Sequence, residues 1–475
     1  MTLTFLSPQG RGQGEGEIGM DAEARRQMVL VAFLQAQNCS NYPASWRHAE
    51  TATDFLTPGY FQRIARTLED ARFHLAFFDD RLAMPDRYGD DFAEAVRRGI
   101  RVVKLDLIPL MTAMGLATRH LGIGGTYSTT YAEPFHVART FATLDHMLGG
   151  RAAWNIVTSL NDSEAANFGG EPHPEHDARY DRADEFVEVV LGHWDSWEDD
   201  AIVLDRAGGV FADPAKVHRL DHRGQWFRSR GPFTVPRSAQ GRPVLIQAGQ
   251  SGRGRRFAAR WGELVFVIFP ALAFARQAYR EIKDEVARLG RDPDLVRIAP
   301  AMYCIVGETR AMAEDKAAYI EKLADPLDTL VLLSEVLNYD FARKGLDEPF
   351  TEAELAGLTG LQAIRDRVVR LSGTPNPTTR DFIQHSGRGT LGELPRFVGS
   401  PGEVADGMEE WFAGGACDGF VLAATHMPGA YEDFARLVVP ELQRRGLFRR
   451  EYAGPTLREN LGLPRPGRGE WVREG

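Results

Sequence analysis

Residues Gly122–Gly169 read GIGGTYSTTYAEPFHVARTFATLDHMLGGRAAWNIVTSLNDSEAANFG. Two apolar runs in this stretch end in small and polar residues, Thr126 to Tyr131 after the first and Asn155 to Asp162 after the second. Between them, the apolar positions of Phe135–Met147 recur at helical spacing. The stretch is therefore one βαβ unit, with hydrogen-bonding side chains gathered at the carboxyl ends of both strands. In α/β folds that end is where ligands bind.

The same alternation continues outward in both directions. Strands are predicted at Met28–Leu34, Phe73–Phe78, Leu121–Ser128, Ala153–Val157, Pro243–Ala248, Leu264–Phe269, Val296–Val306 and Gly419–Ala423. Helical spacing marks Asp54–Ala71, Leu107–His120, Phe135–Met147, Arg179–Trp194, Gly252–Trp261, Ala271–Leu289 and Tyr431–Arg445. Eight strands with helices after most of them predict an α/β fold, a single (β/α)8 TIM-type barrel, rather than an open sheet. Two connections are too long for a plain barrel, 160–240 between strands four and five and 307–417 between strands seven and eight. Insertions of that length are expected to form lids or pocket walls. Residues 1–27 are Gly-rich and polar and read as a disordered extension, 28–446 as the barrel, and 447–475 as a tail on the surface or on a partner copy.

Composition limits the function. The chain has 475 residues, 43% of them hydrophobic, enough for a large core. A net charge of −10 argues against nucleic acid as the main partner. No apolar run reaches the roughly 20 residues that span a bilayer, and residues 1–20 lack the pattern of a signal peptide. The three cysteines, Cys39, Cys304 and Cys417, are far apart and match no disulfide or zinc spacing. The expected location is the cytoplasm.

Candidate chemistry follows the strand ends. Gly249–Arg256, GQSGRGRR, leaves a strand and opens a helix, a geometry suited to an anion, with Ser251 as a further donor. Taken alone, such a loop is as well explained as a turn. His173, Glu175, His176 and Asp177 lie close together, but Pro174 and the spacing fit no metal pattern. A capping loop is one reading, and His176 with Tyr180 on one helix face, donating to a phosphate, is another. Asp79 and Asp80 end strand two, where a carboxyl serves as general acid or base, or caps the next turn. Ser159 and Ser251 lack the surroundings of a hydrolase nucleophile. Trp46-Arg47-His48 lies beyond strand one, on the ligand-binding rim.

The stretch AEPFHVARTFATLDHMLGGRAAWNIVTSLNDSEAANFG (132–169) closely resembles the flavin-dependent luciferase-like monooxygenases, and within them the nitrilotriacetate and dibenzothiophene-sulfone monooxygenase group. So do ASWRH (44–48), EHDARYDRADEF (175–186), GVFADPAKVH (209–218), VLIQAGQSGRGRRFAARW (244–261) and VVPELQRRGLF (438–448), so the resemblance spans about 28–462. It implies a barrel that binds reduced FMN at the strand ends. Asp80 and Thr126 fall on flavin-contacting positions, Asn155 where it faces the ring, and His176, Tyr180 and Ser251 on positions that hold the phosphate. It further implies O2 as co-substrate, a flavin C4a-(hydro)peroxide, a separate NAD(P)H-dependent flavin reductase, and a homodimer or homotetramer. Metal is not expected.

The catalytic candidates are Asn155 and Arg81. Arg81 replaces a glycine of the sulfone branch, and two readings stand: it pairs with a substrate carboxylate, or with Asp80 or Asp86. A second departure is Leu333-Ser334-Glu335, where a Ser-Ser-His run is expected. The rival functions are an F420-dependent oxidoreductase on the same barrel and a non-catalytic flavin-binding barrel.

Overall fold

The computed structural model describes residues 26–159, 161–169, 175–250 and 252–472. Ser251 and His173 lie outside the described residues. Among the described residues, eight parallel strands close on themselves: β1 Val29–Gln35, β2 Leu75–Asp79, β3 Gly122–Ser128, β4 Ala152–Val157, β5 Val244–Gln247, β6 Leu264–Val267, β7 Arg297–Val306 and β8 Gly419–Ala423. Each pairs with its neighbours in chain order, and β8 returns to β1 with Val29 opposite Gly419. The protein is a (β/α)8 barrel.

Strand parity divides the core in two. Leu30, Ala32 and Leu34 of β1 face the outer helices, with Ala76 and Phe78 of β2 and Trp154 and Ile156 of β4. Val29, Val31 and Phe33 fill the interior with Leu75, Phe77, Ala153, Val244, Ile246, Leu264, Val421 and Ala423. A strand buried on both faces must be apolar throughout, and this is why these runs stand out in the sequence.

The outer ring includes α1 Pro58–Asp70, α2 Leu107–Leu116, α3 Pro134–Met147, α4 His176–Trp194, α5 Gly252–Trp261 and α6 Leu272–Arg288. Helix α1 starts at Pro58, later than its apolar spacing suggests, because the Thr57 side chain accepts from Tyr60 N and proline fits the first helical position. Asp145 on α3 is fully buried and takes Ala152 N (2.9 Å), Gln240 Nε2 (2.7 Å) and the Ser238 hydroxyl, so it ties the helix to the start of β4. The predicted helix Tyr431–Arg445 contains a π-turn at Phe434–Val438. Pro440 has no N–H to return to the preceding turn, and the register slips there.

The connection after β4 carries α4 and two hairpins, Ile202–Asp205 with Val210–Ala212 and His222–Arg223 with Arg228–Ser229. The connection after β7 carries α7 Arg310–Glu321, α8 Pro326–Leu337 and further helices around their own apolar core of Leu333, Val336, Phe341, Phe350 and Phe382. It then adds a strand, Arg396–Gly399, parallel to β7, before helix α9 Pro401–Ala413. The tail does not lie loosely on the surface. Its helix Leu457–Leu461 places Leu457, Leu461 and Leu463 in the interior core, and Leu457 packs so close to Gly122 that a Cβ there would meet its Cδ1 at 2.6 Å. These leucines form the barrel floor.

Candidate functional site

At the carboxyl ends of the strands the inward parity continues, but the residues turn polar. Gln35, Asp79, Thr126 and Asn155 are the last or near-last inward positions of β1 to β4, and the register sets Gln35 beside Asp79 and Thr126 beside Asn155. Beneath them Phe33, Phe77 and Phe266 pack ring on ring, with centroids 5.1 to 5.8 Å apart. The mouth is therefore a polar ring above an aromatic floor. Gly124 and Ala153 keep β3 and β4 small beside Phe77; a Cβ on Gly124 would stand 3.4 Å from that of Phe77.

Thr126 Oγ1 donates to Phe78 O (2.7 Å) and accepts from Asn155 Nδ2 (2.7 Å). That bond fixes the Asn155 amide and points its carbonyl away from Thr126. Asn155 Oδ1 and both amide atoms of Gln35 are buried with no protein partner among the described residues, as is Asp79 Oδ1. Such atoms are rare in folded proteins and mark places where a bound molecule or water completes the bonding.

Asp80 follows β2, and its Oδ1 accepts from Arg81 N at 2.8 Å. Burial pushes its carboxyl up to about 7, against the pull of Lys104 and the Arg81 amide, and Asp79 and Glu164 add to the rise. The Arg81 guanidinium reaches neither Asp80 nor Asp86. It faces Glu335 of α8, with Nη1 to Oε1 at 3.8 Å, while Asp86 accepts from Ser163 at 2.6 Å.

Around the rim toward β4 and β5, His176 opens α4 and its Nδ1 lies 2.7 Å from Asp177 Oδ1. Tyr180 is one turn on, its ring 5.0 Å from that of His176 and 5.5 Å from Phe257 of α5, with Arg253 over its face. The structure thus joins the start of α4 to α5 through Tyr180, Arg253 and Phe257. At Gly249, in the turn before α5, a Cβ would stand 2.8 Å from Gly254 O, so the turn is pressed onto the helix start and admits only glycine.

The residues missed by sequence reasoning come from loops and the insertion. Lys104 Nζ is buried without a protein partner among the described residues and acts on Asp80. Glu335 is 4% exposed, and its Oε1 accepts from Asn161 Nδ2 at 3.1 Å. An acid set between apolar residues in LLSEVL was the available signal for Glu335. Gln35, ending an apolar strand, was a similar one.

A cavity of ≈280 Å³ lies beside the ends of β7 and β8 and includes His48, Glu50 and His426. Their ligand-type atoms all fall within 4.8 Å of one another. The two imidazoles stack face to face, 3.8 Å apart and 7° from parallel, and His48 Nδ1 accepts from Glu50 N. Stacked rings point their lone pairs side by side rather than toward a common centre.

The family model described as luciferase-like monooxygenase matches residues 34–418. The chain is 46% identical over 450 residues to the dibenzothiophene-sulfone monooxygenase of Rhodococcus erythropolis, covering 93% of this chain and 98% of that protein. It is 38% identical over 455 residues to nitrilotriacetate monooxygenase component A of Aminobacter aminovorans, at 93% and 98% coverage. Among solved structures, riboflavin lyase RcaE with modified FMN and riboflavin superposes with a TM-score of 0.84 at 33% identity, over 92% of this chain and 96% of that one.

Proposed function

The chain belongs to the luciferase-like monooxygenase family, and from that premise we propose that it is the FMNH2- and O2-dependent oxygenase component of a two-component system. Its substrate is a small organic molecule of the aminopolycarboxylate or organosulfur type. The observation that carries this reading is the polar ring over the aromatic floor, where the buried carbonyl of Asn155 and the amide of Gln35 lack protein partners among the described residues. These groups fit the polar edge of a flavin ring. The rim at α4 and α5 fits its phosphate, with His176, Tyr180 and Ser251 as the proposed donors and the Gly249 turn giving backbone access. A relative named component A, and a structural neighbour solved with modified FMN, support the same view.

Reduced FMN, when bound, supplies the electrons for O2 activation. The chain's own residues bind, orient and exclude. Thr126 locks the Asn155 amide, the phenylalanine floor keeps water out below, and the insertion after β7 covers the mouth from above. Asp80, with its carboxyl near 7, holds or releases a proton at the ring's edge under working conditions. FMNH2 comes from a separate NAD(P)H-dependent flavin reductase. The apolar hairpin of Leu204 (62% exposed) and Phe211 (63% exposed) supports a homodimer or homotetramer.

The test is to load the protein anaerobically with photoreduced FMN and mix it with O2 and a panel of thioethers, sulfones and aminopolycarboxylates. Product is expected only with reduced flavin. Equal turnover with oxidised FMN and NADH, without a reductase, would overturn the two-component reading.

A further inference from the structure

The insertion after β7 brings to the mouth a cation that none of the proposed flavin contacts uses. Arg388 is 8% exposed. Its Nη1 pairs with Glu393, while Nε and Nη2 are buried with no protein partner among the described residues. The Nε–Nη2 side of a guanidinium is a two-pronged edge that meets both oxygens of a carboxylate in parallel. A cationic edge buried without an acceptor is costly, and an incoming oxyanion relieves that cost.

The surroundings are densely charged as well as polar: Arg81, Arg101 and Arg388 share the place with Asp79, Glu335 and Glu393. Burial depresses the proton affinity of Arg388 and Glu393 raises it; Arg101 and Arg81 lower it again, and Glu335 opposes them. Charges from two loops and the insertion thus reach one low-dielectric space. Arg101, 3% exposed, gives Nη2 to Asn41 O (3.1 Å) and keeps Nε unpartnered among the described residues. Asn41 in turn donates to the Tyr303 hydroxyl at 2.9 Å, and Tyr303 of β7 stands opposite Ala423, the last residue of β8, which places the group at the carboxyl ends of the strands. The counter-charges do not cover the free edge. Glu393 is taken by Nη1, and Glu335 Oε1 is held by Asn161 with Arg81 nearby.

We propose that the Nε–Nη2 edge of Arg388 is a specificity-determining carboxylate subsite, backed by Arg101, and that the substrate is therefore a small organic acid. This deepens the monooxygenase reading and rests on it for the identity of the site, but its test needs no turnover. Matched acid and amide pairs, such as (benzylthio)acetate with (benzylthio)acetamide and N-benzylglycine with its amide, are titrated calorimetrically into the full chain loaded with oxidised FMN. At least one acid is expected to bind tenfold or more tighter than its amide. Arg388→Gln should bring the acid down to the level of the amide while FMN affinity stays unchanged. Equal binding of acid and amide across the pairs, or an acid preference that survives in R388Q, overturns the proposal. If R388Q does not fold, Arg388→Lys decides. It keeps the charge and loses the fork, so acid binding should fall threefold or more with the amide unaffected, and no change overturns the subsite. A failed FMNH2 assay leaves these binding outcomes standing, and a failed subsite leaves the FMNH2 assay standing.

Discussion

The Asp80 carboxyl moves from its ordinary 3.8 to about 7, with burial as the main cause. Between those values the folded chain holds a proton there that the unfolded chain has lost. The contribution of Asp80 to stability is therefore most favourable below about pH 4 and declines as pH rises through 7. Asp80→Asn removes the ionisation and keeps the shape. In urea melts at pH 5, 6, 7 and 8, the stability of D80N relative to the native chain is expected to rise with pH, by a few kcal/mol at most. With Asp80 at the flavin as proposed, FMNH2 affinity should decline over the same range in the native chain, where a carboxylate replaces a carboxyl, and stay flat in D80N. A flat difference in both measurements would show that Asp80 ionises as an ordinary surface acid does. Residues of this kind were half legible. Asp80 could be named because it ends a strand, and Thr126 and Asn155 because they open the polar strand ends and fall on positions that the family resemblance points to. Lys104, Arg101 and Arg388 could not, because their loops carry no periodicity and their burial depends on chain far away in sequence.

The floor of the barrel illustrates how an element is held. Arg458 of the tail helix donates to Glu263 before β6 from two nitrogens, at 2.8 and 2.9 Å, and Leu245 N donates to the same carboxylate at 3.0 Å. Despite a burial penalty that acts the other way, Arg458 and Arg242 hold the Glu263 carboxyl down at about 2. A depressed acid stabilises the fold above its unfolded value near 4.5 and loses that effect as pH falls toward 2. Removing one partner of such a buried pair strands the other charge. Arg458→Met is expected to cost about 3–5 kcal/mol in a urea melt at pH 7. A double change with Glu263→Met should recover much of the loss, and a loss below 1 kcal/mol in R458M alone would mean the pair is solvated. The eight strands were readable because continuous burial demands continuous apolarity. The floor was not. A five-residue helix with leucines at 457 and 461, set among Gly, Pro and Arg, is too short to show a period. The strand Arg396–Gly399 escaped for a related reason, since it is one-sided and partly exposed.

For the whole molecule, the exposed hairpin gives the plainest expectation. Val203, Leu204, Val210 and Phe211 place four large apolar side chains in water on a strand pair that lies outside the barrel sheet. Surfaces of that kind usually meet another protein. Phe211→Glu combined with Leu204→Glu is expected to lower the mass seen by light scattering to that of one chain, with the far-ultraviolet spectrum unchanged. An unchanged mass would move the contact elsewhere. Among the described residues no helix is long and apolar enough to cross a membrane. The overall plan, barrel plus two insertions, could be drawn from spacing alone, but what the insertions place over the mouth could not. The helices of the one after β7 pack on one another, as Phe341, Phe350 and Phe382 show.

The closure of β1 on β8, with the tail leucines beneath, also has a consequence for biosynthesis. Val29 waits for Gly419, and Leu457 must still arrive after that pairing to fill the interior beside Gly122. A ribosome therefore exports everything from β2 to β8 before the first strand, already beside β2, finds its second partner. Until then the unfinished sheet has two open edges and no floor, which is the period when a nascent chain of this kind depends on chaperones.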